Sequence, residues 1–212
     1  MVNVFEKVEL ANSYDSYYET EQGKTIDRIE KELIGKILKN AKSDEMLELG
    51  CGTGHWTEFF EEIGYNITAL DISVPMLEIA KKKDLMAKFI HGNSEQLPFE
   101  DQTFNIVASI TMIEFVSNQE KVIHEMFRVL KPGGLLVLGC LNADSVMGKT
   151  KELSETFRNA KFLNPAEIEK LLIPYGKPEF FYGVYMNDQF EITDGRAQSS
   201  EPSFIAVKTT KI

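Results

Sequence analysis

Apolar and polar residues follow two different periods along this chain, one typical of helices and one typical of strands. Residues 119–130 carry apolar side chains at the i, i+3, i+4 spacing of an amphipathic helix, whereas residues 135–141 form a continuous apolar run typical of a strand buried on both faces. The Lys-Pro-Gly-Gly stretch between them predicts the end of that helix. Similar patterns predict strands at 46–49, 65–72, 87–91 and 104–111, and helices at 55–63, 74–83 and 165–173. Because strands and helices alternate, the sequence predicts an α/β fold with a mostly parallel sheet.

Both ends of the chain depart from this alternation. Residues 1–40 are predicted to be mostly helical and contain one apolar stripe on a helix face. Residues 179–186 and 203–209 are predicted to be two strands without a helix between them, which indicates an antiparallel hairpin at a sheet edge. The polar segment that joins them, 187–202, is expected to be mobile. The stripe consists of Ile26, Ile29, Leu33, Ile34 and Ile37, and the joining segment contains Asp188, Asp194, Gly195, Ser199 and Ser200.

The most informative stretch is the glycine-spaced turn after the first strand, which reads Glu-Leu-Gly-Cys-Gly-Thr-Gly at 48–54. Glycines at a strand-to-helix turn allow positive φ angles and a close approach of a ligand to the backbone. The N–H groups and the helix dipole there suit an anionic or polar group. The dinucleotide fingerprint G-x-G-x-x-G would require a third glycine at position 55, where this chain has His55. The turn therefore predicts a nucleotide-type site that is not a typical NAD site.

Composition excludes several other classes of function. The formal net charge is −10, and lysines and arginines do not cluster into a basic stripe, so we expect no nucleic-acid partner. No apolar run has the roughly 18–20 residues that a membrane span needs, and the first ten residues lack a signal-peptide pattern. Cys51 and Cys140 are expected to be free thiols in a reducing cytoplasm. The three histidines are scattered, so no metal site is predicted.

The order of these motifs resembles the class I S-adenosylmethionine-dependent methyltransferases of the small-molecule type, in particular the methyltransferase type 11 group. The residues that carry the resemblance are the turn at 48–54, Asp71 at the end of the second strand, and the segments 92–99, 104–107 and 128–134. The resemblance implies a Rossmann-like three-layer sandwich with a mostly parallel seven-stranded sheet and an antiparallel edge hairpin. It also implies a single domain, in which residues 1–40 form a helical cap, 41–141 the cofactor-binding core, and 142–212 a substrate-side segment with the edge hairpin.

The resemblance also implies the ligand and the residues that bind it. The methyl donor that the resemblance implies is S-adenosyl-L-methionine, and the implied product is S-adenosyl-L-homocysteine. Asp71 matches the acidic residue that holds the ribose hydroxyls, and the segment 92–99 matches the one that lines the adenine pocket. Asn93 stands where relatives often carry Asp, so the contact to the adenine amino group falls to Asn93 or Ser94. The full set of predicted donor-binding residues is Tyr18, Glu48, Gly50, Cys51, Gly52, Gly54, Asp71, Ile72, Met76, Asn93, Ser94, Glu95 and Ser109.

A second resemblance lies near the N-terminus, where residues 14–20 read Tyr-Asp-Ser-Tyr-Tyr-Glu-Thr. Relatives with such a segment have an N-terminal helix that closes over the ligand. Aromatic faces attract cations, and the methyl donor carries a sulfonium. The same tyrosines are also consistent with the apolar side of a docking helix.

The predicted function is in-line methyl transfer to a small-molecule acceptor. Holding the two reactants in line contributes roughly 7–11 kcal/mol in favourable cases. The N-terminal aromatic helix and residues 140–161 are expected to position the acceptor. No general base is assigned: Glu114 is a candidate, and it is equally consistent with a solvated residue at the start of a helix. Two alternatives remain open, a protein that binds the cofactor without transferring a methyl group and an NAD-dependent oxidoreductase, and the sequence does not indicate the oligomeric state.

Overall fold

The structure is a computed structural model and describes residues 4–39, 41, 43–195 and 201–212. The helices are α1 (Val8–Tyr14), α2 (Ser16–Glu19), α3 (Glu21–Leu38), α4 (His55–Glu62), α5 (Val74–Ala80), α6 (Gln119–Val129), α7 (Val146–Lys149) and α8 (Pro165–Leu172). The strands are β1 (Glu45–Leu49), β2 (Asn66–Asp71), β3 (Lys88–His91), β4 (Phe104–Ile110), β5 (Leu130–Leu141), β6 (Pro178–Gly183), β7 (Tyr185–Met186), β8 (Ile192–Thr193) and β9 (Phe204–Thr210). Within these residues, no helix combines the length and the apolar composition that crossing a membrane requires.

The main sheet has seven strands in the order β3-β2-β1-β4-β5-β9-β6. The first five strands in that order are parallel to one another, whereas β9 lies antiparallel between β5 and β6. The predicted mostly parallel sheet with an antiparallel edge hairpin is therefore confirmed. The order reverses direction at β1, so the carboxyl ends of β1 and β4 border the crevice where ligands bind in open α/β sheets.

Helices cover both faces of the sheet and complete the predicted three layers. Neighbouring strand residues alternate between the two faces, so Met46 packs into one hydrophobic cluster and Leu47 into the other. The cluster around Leu47 includes the buried faces of α6 and α8, and the cluster around Met46 includes those of α3, α4 and α5. The apolar stripe predicted on the N-terminal helix lies on α3 and faces the second cluster.

Two helices begin with the kinds of capping residue that their sequences predict. The Ser73 hydroxyl accepts a hydrogen bond from the Met76 backbone N–H at the start of α5. The Asn164 side chain accepts from the Glu167 N–H at the start of α8, and the Glu167 carboxylate accepts from the Asn164 N–H in return, which forms a capping box.

The strand predicted to begin at residue 135 begins earlier. Helix α6 ends at Val129, and β5 starts directly at Leu130. The register against β4 shifts between Phe104 and Ile106, so the Lys-Pro-Gly-Gly stretch is accommodated as an irregularity in the strand. Lys211 holds this stretch in place, because its carbonyl accepts from the Gly133 N–H and its own N–H donates to the Gly134 carbonyl. This contact with the residue that follows β9, the neighbouring strand, has no local sequence signal.

The strand predicted at 179–186 is divided in two. Val184 has a φ of +55°, which bends the chain out of the main sheet after β6. The following strand, β7, pairs instead with β8, inside the segment expected to be a mobile loop. Ser199 and Ser200 of that segment lie outside the described residues.

Candidate functional site

The glycine turn lies between the end of β1 and the first residue of α4. Gly50, Gly52 and Gly54 have φ angles of +75°, +52° and +83°, a region that other residues rarely adopt. A β-carbon at Gly50 would also lie 2.6 Å from the Met112 Cβ, whereas one at Gly52 would meet nothing within 4 Å. The turn therefore requires glycine for its conformation, and at Gly50 for space as well.

Asp71, at the end of β2, is bound to the glycine turn. Its Oδ2 accepts a hydrogen bond from the Gly52 N–H at 2.8 Å, and its Oδ1 accepts from the Ser73 N–H at 2.7 Å. Burial raises the pKa of the Asp71 carboxyl, while the hydrogen bonds from Ser73 and Gly52 act in the opposite direction. The carboxyl group is thus fixed in orientation at the carboxyl edge of the sheet.

A cavity of about 200 Å³, here called the glycine-turn cavity, opens in front of these residues. It gathers residues from the glycine turn, β2, the segment after β3, the end of β4 and the N-terminal helices. The predicted donor-binding residues that line it are Tyr18, Gly50, Cys51, Gly52, Asp71, Ile72, Met76, Asn93, Ser94 and Glu95. Ten positions that are spread over much of the sequence are therefore brought together in one cavity.

The three other predicted residues, Glu48, Gly54 and Ser109, are not among the described residues that line this cavity. The Glu48 carboxyl is buried and accepts a hydrogen bond from the Thr57 hydroxyl at 2.6 Å, and burial raises its pKa to about 8. Gly54 is the residue before α4, and Ser109 is buried with a hydroxyl that has no hydrogen-bond partner within the described part of the chain. These three residues therefore do not form part of the cavity wall.

Glu114 is fully buried, so the expectation of a solvated helix-start residue was wrong. It lies in a short 3-10 helix, Ile113–Phe115, where its Oε1 accepts a hydrogen bond from the Leu141 N–H at 2.5 Å. Its Oε2 has no partner among the described residues, and burial raises its pKa to about 7. The residues next to Glu114 in the sequence do not predict its burial, because Glu114 is covered by β5 and by the segment that contains Lys161.

The structure adds His55, which the sequence left without a role. Its Nε2 lies 2.6 Å from the Asp27 Oδ1 on α3, and its ring stacks on Tyr18 with 3.6 Å between the ring centroids. His55 also lines the glycine-turn cavity. The N-terminal helices are therefore attached to the first residue of α4 by both a hydrogen bond and a ring contact. No pattern in the sequence pairs positions 27 and 55.

A second cavity, here called the N-terminal cavity, lies between α1–α3 and the carboxyl edge of the sheet. Its volume is about 480 Å³. Met147 and Phe157, from the segment after β5, line it as well. The two cavities share a wall formed by Phe5, Tyr14, Tyr18, Thr111 and Phe115. Among the described residues, no cluster of three or more His, Cys, Asp or Glu side chains has the arrangement of a metal site.

Comparison with known proteins assigns this architecture to a family. A family model described as a methyltransferase domain matches residues 47–138. The chain is 31% identical over 222 residues to an uncharacterised protein of Methanocaldococcus jannaschii, and the match covers the whole of both chains. It is 33% identical over 163 residues to the demethylmenaquinone methyltransferase of Listeria monocytogenes, a match that covers 73% of this chain and 68% of that protein.

The fold has a solved counterpart that agrees with this assignment. A S-adenosylmethionine-dependent methyltransferase of Thermotoga maritima, described as a possible histamine N-methyltransferase, superimposes with a TM-score of 0.76 at 24% identity over the full length of both chains. The chain spans between 40% and 64% of the malonyl-[acyl-carrier protein] O-methyltransferases that it matches. The fold, the glycine turn and these relatives together show that this chain belongs to the class I S-adenosylmethionine-dependent methyltransferases and uses S-adenosylmethionine as its methyl donor.

Proposed function

We propose that this enzyme methylates a small-molecule acceptor and that the glycine-turn cavity holds the donor. The observation that carries the proposal is the wall shared by the two cavities, which allows a donor and an acceptor to lie side by side. The N-terminal cavity has the volume of an ordinary small-molecule site, a range of about 300–1,000 Å³. The cytoplasmic location belongs to the same proposal and is supported by the two free, buried cysteines.

The donor fits the residues that line the glycine-turn cavity. Each Asp71 oxygen accepts one backbone N–H, and a carboxylate oxygen has a second acceptor position that can receive a ribose hydroxyl. Ile72 and Met76 supply apolar surface on one side of the cavity for the adenine ring. Asn93, Ser94 and Glu95 supply polar groups that can bind the edge of the adenine ring.

The backbone of the turn takes part as well. Gly52 faces open space where a side chain would stand, so a ligand can approach the main chain at Gly52 and at its neighbours Gly50 and Cys51. Tyr18 lies at the wall between the two cavities, where its ring can face the sulfonium. For Glu48, Gly54 and Ser109 we propose a supporting role behind the turn.

The chemistry demands little of the protein's acid and base groups. When bound, S-adenosylmethionine supplies a methyl group that is already activated by its attachment to a sulfonium. The side chains around the shared wall orient the acceptor and exclude water, and rate acceleration from such positioning is substantial. Glu114 is held behind the cavities by its hydrogen bond to Leu141, and we propose that it orients the segment after β5.

The proposal is tested by binding and then by turnover. Calorimetric titration with S-adenosylmethionine and S-adenosylhomocysteine measures donor binding, and failure of both to bind the folded protein would refute the proposal. Incubation of the enzyme with labelled donor and a small-molecule fraction of a cell extract, followed by mass spectrometry, then identifies a methylated product. Donor binding without any product would favour the cofactor-binding alternative.

A further inference from the structure

The N-terminal cavity contains one carboxyl group, that of Glu30, which has no hydrogen-bond or ion-pair partner among the described residues. The side chain lines the cavity, and the residue is only 8% exposed. The charged groups that act on it, Asp27, Lys31 and Glu114, do so without direct contact. Glu30 is in the middle of α3, one turn from both Ile26 and Ile34, and so lies on the buried face of the helix. A buried polar group without a partner is costly, which a ligand that pairs with it would relieve.

The remaining wall of the cavity favours a cation over an anion. The described residues that line it include no lysine, arginine or histidine. Three tyrosines, Tyr14, Tyr17 and Tyr18, line it instead, and aromatic faces attract cations. Ser203 also lines the cavity, and its buried hydroxyl has no hydrogen-bond partner in the described part of the chain. An acidic acceptor would thus lie beside a carboxyl group with nothing of opposite charge to pair with it.

The ionisable groups that face Glu30 come from three parts of the chain. Burial has the largest effect and raises the pKa of Glu30 to about 8. Asp27 and Glu114 raise it further by repulsion, whereas Lys31 lowers it. The phenol groups that face Glu30 from α1 and α2 are those of Tyr14, Tyr17 and Tyr18. Phenols are neutral at pH 7, and burial raises the pKa of all three further.

We propose that the N-terminal cavity is the acceptor site, that the acceptor is an apolar amine, and that the Glu30 carboxylate binds the amine nitrogen and takes its proton. The inference rests on the proposed function, because it assigns an acceptor to that site. The ammonium form pairs with Glu30 on binding and then passes one proton to it. The nitrogen lone pair forms the bond to the methyl carbon as the carbon–sulfur bond breaks, and the sulfur keeps the electrons of that bond. The product leaves as a methylated ammonium ion.

The proposal is tested by binding in the presence of S-adenosylhomocysteine, so that no transfer occurs. Three probes of similar shape are titrated by calorimetry at pH 7: phenethylamine, 2-phenylethanol and 3-phenylpropionate. We expect phenethylamine to bind at least tenfold more tightly than the alcohol and the carboxylate not to bind. Glu30 is mostly protonated in the free protein at pH 7 and ionised in the complex, so titration in two buffers should show release of about one proton per amine bound.

Two variants on the same helix make the test specific. Glu30→Gln keeps the shape of the side chain and should abolish both the preference for the amine and the proton release. Glu32→Gln makes the same change of charge at an exposed position of α3 and should retain both. Equal affinity of S-adenosylhomocysteine for both variants and the wild type shows that each is folded.

The outcomes separate this inference from the proposed function. If S-adenosylhomocysteine binds but the amine binds no better than the alcohol, or no probe binds, the acceptor assignment is overturned while the donor site stands. Retention of the amine preference by Glu30→Gln would also overturn it. If S-adenosylhomocysteine does not bind the wild type, the proposed function itself fails. The comparison of the three probes uses the wild-type protein, so it remains decisive if a variant does not fold.

Discussion

The Asp71 carboxylate accepts a hydrogen bond from the Gly52 N–H, with 2.8 Å between the Gly52 nitrogen and Asp71 Oδ2. This contact joins the end of β2 to the glycine turn that follows β1. It means that the acidic residue and the turn form one structural unit that is held together by the protein's own hydrogen bond. Such preorganisation lowers the cost of ordering these groups on binding.

The first prediction concerns Asp71. Asp71→Ala removes the carboxylate proposed to bind the ribose hydroxyls and should weaken S-adenosylhomocysteine binding by about 1–3 kcal/mol, the cost of lost charge-assisted hydrogen bonds. Calorimetric titration measures this loss. Asp84→Ala is the matched control, since Asp84 is exposed and lies outside the glycine-turn cavity. Unchanged affinity in Asp71→Ala would refute the ribose assignment.

The second prediction compares two glycines of the turn. Gly50→Ala should lower the free energy of unfolding by about 2–5 kcal/mol, because the new β-carbon is both at positive φ and against Met112. Gly52→Ala has a positive φ but open space, so its cost should be about 1–2 kcal/mol. Urea unfolding of the two variants gives the comparison. Equal losses of unfolding free energy in the two variants would show that crowding against Met112 does not affect stability.

The third prediction concerns Tyr18, which lines both cavities. Tyr18→Ala should weaken S-adenosylmethionine binding more than S-adenosylhomocysteine binding, by about 0.5–2 kcal/mol, because only the former carries the sulfonium charge. Tyr18→Phe keeps the aromatic ring and serves as the control. It should preserve the difference in affinity between the two ligands. If Tyr18→Ala weakens the binding of both ligands equally, Tyr18 contributes by shape alone and the proposed cation–π contact is refuted.

The fourth prediction is a pH dependence of stability that arises from Glu48. Burial raises its pKa from the ordinary 4.5 to about 8 in the folded protein. Between these two values the unfolded chain loses the proton while the folded protein keeps it, so the free energy of unfolding falls as pH rises from about 4.5 to 8. The contribution of a shift of this size is about 5 kcal/mol.

The side chain that Glu48→Gln introduces cannot ionise. This variant should therefore lose less unfolding free energy between about pH 4.5 and 8 than the wild type, as measured by urea unfolding at several pH values. The Gln side-chain oxygen can still accept the hydrogen bond from the Thr57 hydroxyl, so the packing behind the turn is maintained. Glu58→Gln, at an exposed position of α4, should leave the pH dependence unchanged. The same pH dependence in Glu48→Gln and wild type would contradict the assignment to Glu48.

Much of the glycine-turn cavity follows from the sequence because its parts are local. A strand, a glycine-spaced turn and a helix occur consecutively at 45–62, and Asp71 stands at the end of the next strand. Parallel strands bring their carboxyl ends to the same edge, so the proximity of Gly52 and Asp71 follows from the alternation of strands and helices. The helix caps at Ser73 and Asn164 follow from local hydrogen bonding for the same reason.

Glu30 is an example of a residue whose surroundings only the tertiary structure reveals. Its spacing from Ile26 and Ile34 reveals that it lies on the buried face of α3, yet nothing local reveals what it faces. The N-terminal cavity is assembled from segments far apart in the sequence, from Phe5 to Phe204, and its size and charge depend on how they pack. Local periodicity therefore predicts the elements and the glycine turn, whereas the N-terminal cavity, the burial of Glu30 within it and the bend at Val184 arise only from contacts between distant residues.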